Sequence, residues 1–307
     1  MADWWATTFP QGRQTIRIPD ANGTPVNIAY GEVGSGQPLV LVHGVGVWSH
    51  YWRHNIPALS QHFRVITFDA KGCGFSDRPL APELVGHQVI ELARILEALC
   101  DRPAILVAES LGALTTLALA SEHAPLVDRM VVINVPIFPK ELPSWGMKLL
   151  SNVPLDLVKT VDFFRVPKTF GPLTQWVAAI ARRDVVVDPA MITLDDVYWA
   201  TYPYMEYPYT LTKLAEDLQI GLQQINYLIE GKPSYIRDIQ HGLSAVQAPT
   251  LILWSEQDTW FPVADGYQLH QALPNATLQI IPNCGHQAAA GRPDFVNAAI
   301  LSFLADE

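Results

Sequence analysis

A chain of 307 residues that is 49% hydrophobic can bury a large core, which excludes a disordered protein and suits one domain with a sizeable insertion or two close domains. The formal charge of −10 at pH 7, with no Lys/Arg cluster able to track phosphates, excludes a polyanion-binding surface and with it nucleic acid as a partner. Cys73, Cys100 and Cys284 lack the spacing of a metal site or redox pair and read as free thiols of a reducing compartment.

Met1-Ala2-Asp3-Trp4-Trp5 has an acid where a signal peptide places basic residues, and no apolar run approaches the roughly 20 residues that span a bilayer. The expectation is a soluble cytoplasmic protein with no membrane partner. From Thr15 to Val33 β-branched residues alternate around Asn22-Gly23, which predicts an antiparallel hairpin. Short runs rich in β-branched residues follow at Pro38 to Val42, Phe63 to Phe68, Ala104 to Val107, Met130 to Ile133, Thr250 to Trp254 and Thr277 to Ile281. Helical periodicity fills Leu84 to Leu99 and Leu111 to Glu122. Continuous apolar strands alternating with helices predict an α/β fold with a mostly parallel sheet covered on both faces.

Between about Ile137 and His241 the alternation stops, and the segment is helical in pattern, punctuated by proline and crowded with aromatics. It predicts a helical cap over 137–240, inserted between an N-terminal core part, 1–136, and a C-terminal one, 241–307.

Residues just beyond the carboxyl ends of strands in open α/β sheets are where ligands bind. Here those positions hold His43-Gly44-Val45-Gly46, Ser110, Ser255-Glu256-Gln257-Asp258 and Cys284-Gly285-His286. Ser110 lies between a strand and a helix with Ala108 and Gly112 two residues to either side, small enough for a sharp turn that projects the hydroxyl over the sheet. By itself such a serine is equally well an N-cap.

Serine, acid and histidine in this chain order resemble the α/β-hydrolase superfamily, whose nucleophile stands on such an elbow. Two further stretches carry the resemblance: His43-Gly44-Val45-Gly46 is similar to the family's oxyanion loop, and Asp69 to Ser76 to its DxxGxGxS segment. Ala108 replaces the first glycine of the usual G-x-S-x-G. The resemblance implies Ser110 as nucleophile, His286 as general base and Asp258 as the acid that orients it, with Glu256 as the neighbouring competitor. It implies an oxyanion hole from the backbone N–H groups of Val45 and Leu111, and no cofactor or metal. His43 reads as a brace for its loop, Cys284 as packing, and the Gly72 to Ser76 run lacks the lysine of a phosphate loop. Trp48 and Trp260, next to catalytic positions, are expected as pocket walls, and Glu109 either tunes the pocket as a substrate-binding residue or pairs with a cation.

A serine at the elbow, where haloalkane dehalogenases and epoxide hydrolases carry aspartate, points to acyl transfer. The expected activity is that of a carboxylesterase-type serine hydrolase on small to medium apolar esters. The alternatives are a carbon–carbon bond hydrolase of the meta-cleavage type, a cofactor-free haloperoxidase or perhydrolase, and a low-turnover ligand-binding receptor.

Overall fold

The computed structural model describes residues 3–189 and 192–305. After a short helix α1 (Trp4–Thr8), the chain forms β1 (Gln14–Pro19), β2 (Pro25–Val33) and β3 (Pro38–Val42), then α2 (Ile56–Leu59), β4 (Arg64–Phe68), α3 (His87–Leu99), β5 (Ala104–Glu109), α4 (Leu111–Glu122) and β6 (Val127–Ile133). A helical stretch follows: α5 (Trp145–Ser151), α6 (Leu155–Phe163), α7 (Val166–Thr169), α8 (Gly171–Ala181), α9 (Leu194–Glu206), α10 (Thr210–Ile229) and α11 (Tyr235–Gly242). The chain closes with β7 (Thr250–Ser255), α12 (Val263–Ala272), β8 (Ala276–Ile281), α13 (Ala288–Gly291) and α14 (Pro293–Ala305).

The strands form one sheet in the order β1-β2-β4-β3-β5-β6-β7-β8. β1 and β2 are the predicted hairpin, β2 meets β4 antiparallel, and every later pairing is parallel. Burial explains the two kinds of strand in the sequence. Interior strands β3, β5 and β7 are buried at every residue and therefore read as continuous apolar runs, whereas edge strands β1 and β8 alternate between buried or half-buried and exposed. Successive residues of one strand serve opposite cores: Val40, Val42, Leu106 and Ala108 pack with residues of α3 and α4, while Leu39, Leu41, Ile105 and Val107 pack with Trp5, Trp52 and residues of α14.

The helices between β6 and β7 build a small core of their own from Leu142, Leu218, Ile225 and Ile236. Helix α9 starts at a capping box, in which Thr193 and Asp196 satisfy one another's backbone N–H groups, and it carries the aromatic face that fastens this region to the sheet domain. Trp48 Nε1 donates to the carbonyl of Trp199 at 2.9 Å, and Trp48 packs against Trp4, Phe75 and Trp199. At 2% exposure Trp48 has little surface left for a ligand. Trp48 borders a small cavity with Gly46, Val47 and Leu214, and its main contacts make it a fastener between two parts of the fold.

Candidate functional site

β5 turns into α4 at Ser110, whose backbone sits at φ 56°, ψ −126°, outside the regions that L-residues ordinarily occupy. Gly112 makes the turn sterically feasible, since a Cβ there would stand 2.5 Å from the carbonyl oxygen of His43 and 2.7 Å from that of Val42. Strain of this kind costs on the order of 1–3 kcal/mol and persists only where the surroundings enforce it. The enforcement here is the parallel pairing of β5 with both β3 and β6, extended by the Ser110 N–H donating to the Ile133 carbonyl at 2.9 Å. The Ser110 side chain caps nothing, so the N-cap alternative has no hydrogen bond to support it.

The Ser110 hydroxyl stands 3.0 Å from His286 Nε2, and His286 Nδ1 stands 2.8 Å from Asp258 Oδ2. The histidine lies 176 positions from the serine in sequence, yet the loops after β5, β7 and β8 bring the three side chains into one hydrogen-bonded line. The second oxygen of Asp258 accepts the N–H groups of Trp260 and Phe261 at 2.8 and 3.1 Å, which holds the carboxylate in one orientation. Its competitor Glu256 is exposed and instead accepts from the Asn283 N–H. Trp260 is half-buried and lies against the His286 ring, centroids 4.5 Å apart, with Phe261 edge-on to the same ring at 5.4 Å.

Gly44 packs directly on the elbow, where an added Cβ would be 3.2 Å from Ser110 Cβ, so the loop bearing Val45 lies beside the serine. The Leu111 N–H opens α4, in the first turn, where helix N–H groups have no intrahelical acceptor. His43 is buried and closes the loop from beneath: Nδ1 faces the Gly44 carbonyl at 2.8 Å, and Nε2 accepts from the Ala70 N–H at 3.0 Å. Burial lowers its pKa, which suits this neutral, bracing tautomer. The DxxGxGxS segment is likewise internal scaffolding. Asp69 accepts from Ser49 and from the Phe75 N–H, a Cβ on Gly74 would collide with its carboxylate, and Ser76 ties the turn to β2 through the Ala29 N–H.

The structure corrects the expectation for Glu109. It is 2% exposed, and its oxygens accept from the Tyr51 hydroxyl at 2.6 Å and from the N–H groups of Ala288 and Ala289 at 2.7 and 3.3 Å. Its carboxylate is held by these three donors and ties the elbow strand to the loop that follows His286. Burial pushes its pKa up to about 7, against the opposing pull of those donors and of His286. Because the native state holds this proton more tightly than an unfolded glutamate with its ordinary value of 4.5, folding stability falls as pH rises from about 4.5 to about 7. Glu109→Gln has no proton to lose there and is expected to flatten that fall. Melting temperatures taken across the window check it; parallel slopes for the two proteins would show that Glu109 does not titrate in it.

Two contributors were missed in the sequence. Asn134, at φ 48° just past β6, donates to the His286 carbonyl at 2.7 Å and to Ser255 at 2.9 Å, pinning the histidine loop to the sheet. Its position after a strand end was the available signal. Tyr51 gave none, since only the fold brings it to Glu109. Cys284 is buried with its thiol pKa pushed up to about 11 by burial, the state of an inert packing thiol.

A cavity bordered by Val45 and Leu111 is lined by apolar residues including Phe68, Leu92 and Ile95 and by Lys71, Glu91, Lys213 and Asp217. Lys71 is paired with Asp20, Glu83 and Glu91, and Lys213 with Glu83 and Asp217. Two lysines thus face four carboxylates.

Residues 37–291 match the model of a protein family described as alpha/beta hydrolase fold. The chain is 28% identical over 293 residues to the 2-hydroxy-6-oxo-6-(2'-aminophenyl)hexa-2,4-dienoic acid hydrolase of Metapseudomonas resinovorans, covering 94% of this chain and 90% of that one. It is 25% identical to the 2-hydroxy-6-oxo-6-phenylhexa-2,4-dienoate hydrolase of Burkholderia cepacia, over 95% and 96% of the two chains. Among solved structures, a thermophilic esterase from Thermogutta terrifontis superposes with a TM-score of 0.72 at 19% identity, over 95% of this chain and 98% of that one. A meta-cleavage product hydrolase from Pseudomonas fluorescens superposes with a TM-score of 0.65 at 23% identity, over 95% and 97%. At these identities the superpositions establish a shared fold.

Proposed function

Since this chain belongs to the alpha/beta hydrolase fold family, its model matched over residues 37–291, we propose that it is a serine hydrolase that cleaves carboxylic esters of apolar substrates through an acyl-enzyme. The observation that carries the reading is the continuous line from Ser110 Oγ through His286 to Asp258, with links of 3.0 and 2.8 Å, on an elbow held at positive φ. Ser110 Oγ attacks the ester carbonyl while His286 Nε2 takes its proton. The carbonyl oxygen becomes an oxyanion held by the N–H groups of Val45 and Leu111, each such donor contributing roughly 100-fold to 1,000-fold in rate. Collapse expels the alkoxide, which takes the proton from His286 and leaves as alcohol. Water, deprotonated by His286, then attacks the acyl carbon and releases the acid and free Ser110. Asp258 holds the imidazole with Nδ1–H toward itself and stabilises the imidazolium formed twice per cycle.

The choice of ester over carbon–carbon bond rests on charge. The substrates in the names of the meta-cleavage relatives are acids, and a pocket for an acid needs a cation to spare. Beside the oxyanion donors of this chain both lysines are spent on an excess of carboxylates, which favours a neutral acyl group. The relatives make carbon–carbon hydrolysis the second reading.

The test is p-nitrophenyl esters of increasing acyl length run beside 2-hydroxy-6-oxo-6-phenylhexa-2,4-dienoate. Turnover of the esters with kcat/KM at least about tenfold above that of the dienoate is expected, a difference of about 1.4 kcal/mol in transition-state binding. The reverse order would replace the ester reading by the carbon–carbon one. No turnover of either, with no labelling of Ser110 by a fluorophosphonate, would leave a ligand-binding receptor.

A further inference from the structure

Helix α8 is amphipathic in the unusual sense: its apolar stripe faces outward. Leu173, Trp176, Val177 and Ile180 follow the i, i+3, i+4, i+7 spacing of one helix face and are 41–61% exposed, and the helix has no buried residue. The preceding helices continue the surface. Phe163 and Phe164 at the end of α6 and Phe170 between α7 and α8 are 56–67% exposed, and α6, α7 and α8 touch in succession. Trp145, opening α5, is 77% exposed. Soluble monomers seldom leave so many large apolar side chains together in water, and such a face marks an interaction site.

Charge indicates the partner. Within a protein of net charge −10, residues 140–183, which contain α5 to α8, hold seven Lys and Arg against three Asp and Glu, a local +4. Lys148, Lys159 and Lys168 lie beside Glu141, Asp156 and Glu206 but keep 39–51% of their side chains in solvent, where an ion pair is weak and screened, unlike the buried pairs of Lys71 and Lys213. A second copy presenting this face would meet like charge. A surface that is both anionic and apolar beneath, the headgroup layer of an anionic bilayer, complements it on both counts. The face also borders the proposed reaction site: a groove whose lining includes Pro143, Arg183, Asp184, Val187, Trp260 and Gly285 runs from beside α5 and the end of α8 to the tryptophan lying on His286.

We propose that α5 to α8 form a docking surface for anionic lipid bilayers, setting the mouth of the site at the membrane surface, where apolar substrates partition. Among the described residues no helix is long and apolar enough to cross a membrane, so the engagement is peripheral. The expectation of no membrane partner rested on the lack of a spanning run, which a peripheral contact does not require. The proposal holds whichever bond the enzyme cuts.

The experiment is co-sedimentation of the full chain with vesicles of phosphatidylcholine alone and of phosphatidylcholine with phosphatidylglycerol at about 7:3, at low and high salt. Binding is expected to the anionic vesicles, weakened by salt, and reduced at least about tenfold in Leu173→Gln/Trp176→Gln. Each reversal, Lys159→Glu or Lys168→Glu, should weaken it by about fivefold. All these side chains are at the surface and outside the catalytic line, so hydrolysis of a water-soluble short ester reports that the variants remain folded. Absence of binding to anionic vesicles, binding indifferent to the α8 substitutions, or a stable dimer in solution that the α8 substitutions dissociate would each overturn the proposal.

Discussion

Ser110→Ala is expected to lower kcat for a p-nitrophenyl ester by at least about 1,000-fold, and by as much as about 10⁶-fold if the line of three groups works as a unit. On the proposed acyl-enzyme reading the loss is this large because the hydroxyl would be the bond-forming group: without it water would attack directly, aided only by the proposed oxyanion donors and by binding. The fold should be indifferent to the change, since the Ser110 side chain caps no helix N–H and the Ser110 N–H still bonds to the Ile133 carbonyl. Steady-state kinetics with circular dichroism as the folding control decide it. A variant within tenfold of the wild type would place the nucleophile elsewhere and end the acyl-enzyme reading.

Asp258→Asn is expected to cost about 10⁴-fold in kcat while leaving the site geometry nearly unchanged. The amide oxygen still accepts from the N–H groups of Trp260 and Phe261, as Asp258 Oδ1 does at 2.8 and 3.1 Å. That choice turns the amide NH₂ toward His286 Nδ1, which must then accept. The imidazole flips to the tautomer carrying its proton on Nε2, the atom 3.0 Å from Ser110 Oγ, where it can no longer take the serine proton. The measurement is kcat in wild type and variant, with fluorophosphonate labelling of Ser110 slowed in parallel. A loss under about tenfold would remove Asp258 from the mechanism. Glu256 would not inherit the role, because it is exposed and bonded to Asn283.

The two variants probe links of different length, and the structure explains why both were legible early. Ser110 announces itself locally: the run of buried β5, the small residues flanking the turn and the helix that begins at Leu111 all lie within a dozen positions. His286 and Asp258 were legible through a rule of architecture, that the residues after parallel strands meet along one edge of the sheet. Glu109 shows where that reasoning stops. Adjacent in sequence to Ser110, it points to the far side of the strand, because side chains at successive strand positions face opposite ways. Its partners Tyr51 and Ala288 lie 58 and 179 positions away. Trp48 carries a second role for the same reason: proximity to Gly44 and Val45 along the chain said nothing about Trp199, the residue of α9 that it fastens.

The sequence by itself determined the hairpin, the parallel strands, the helical stretch between β6 and β7, and which residues stand at the strand ends, because hydrophobic period and turn chemistry are local properties written over a few residues. Only the tertiary structure decided that Ser110, His286 and Asp258 stand within hydrogen-bonding distance, that Asn134 and Glu109 hold the histidine loop in place, and that the apolar stripe of α8 faces water. These depend on which distant segments pack together, and packing answers to shape and satisfied polar groups across the whole molecule, which spacing along the chain does not encode.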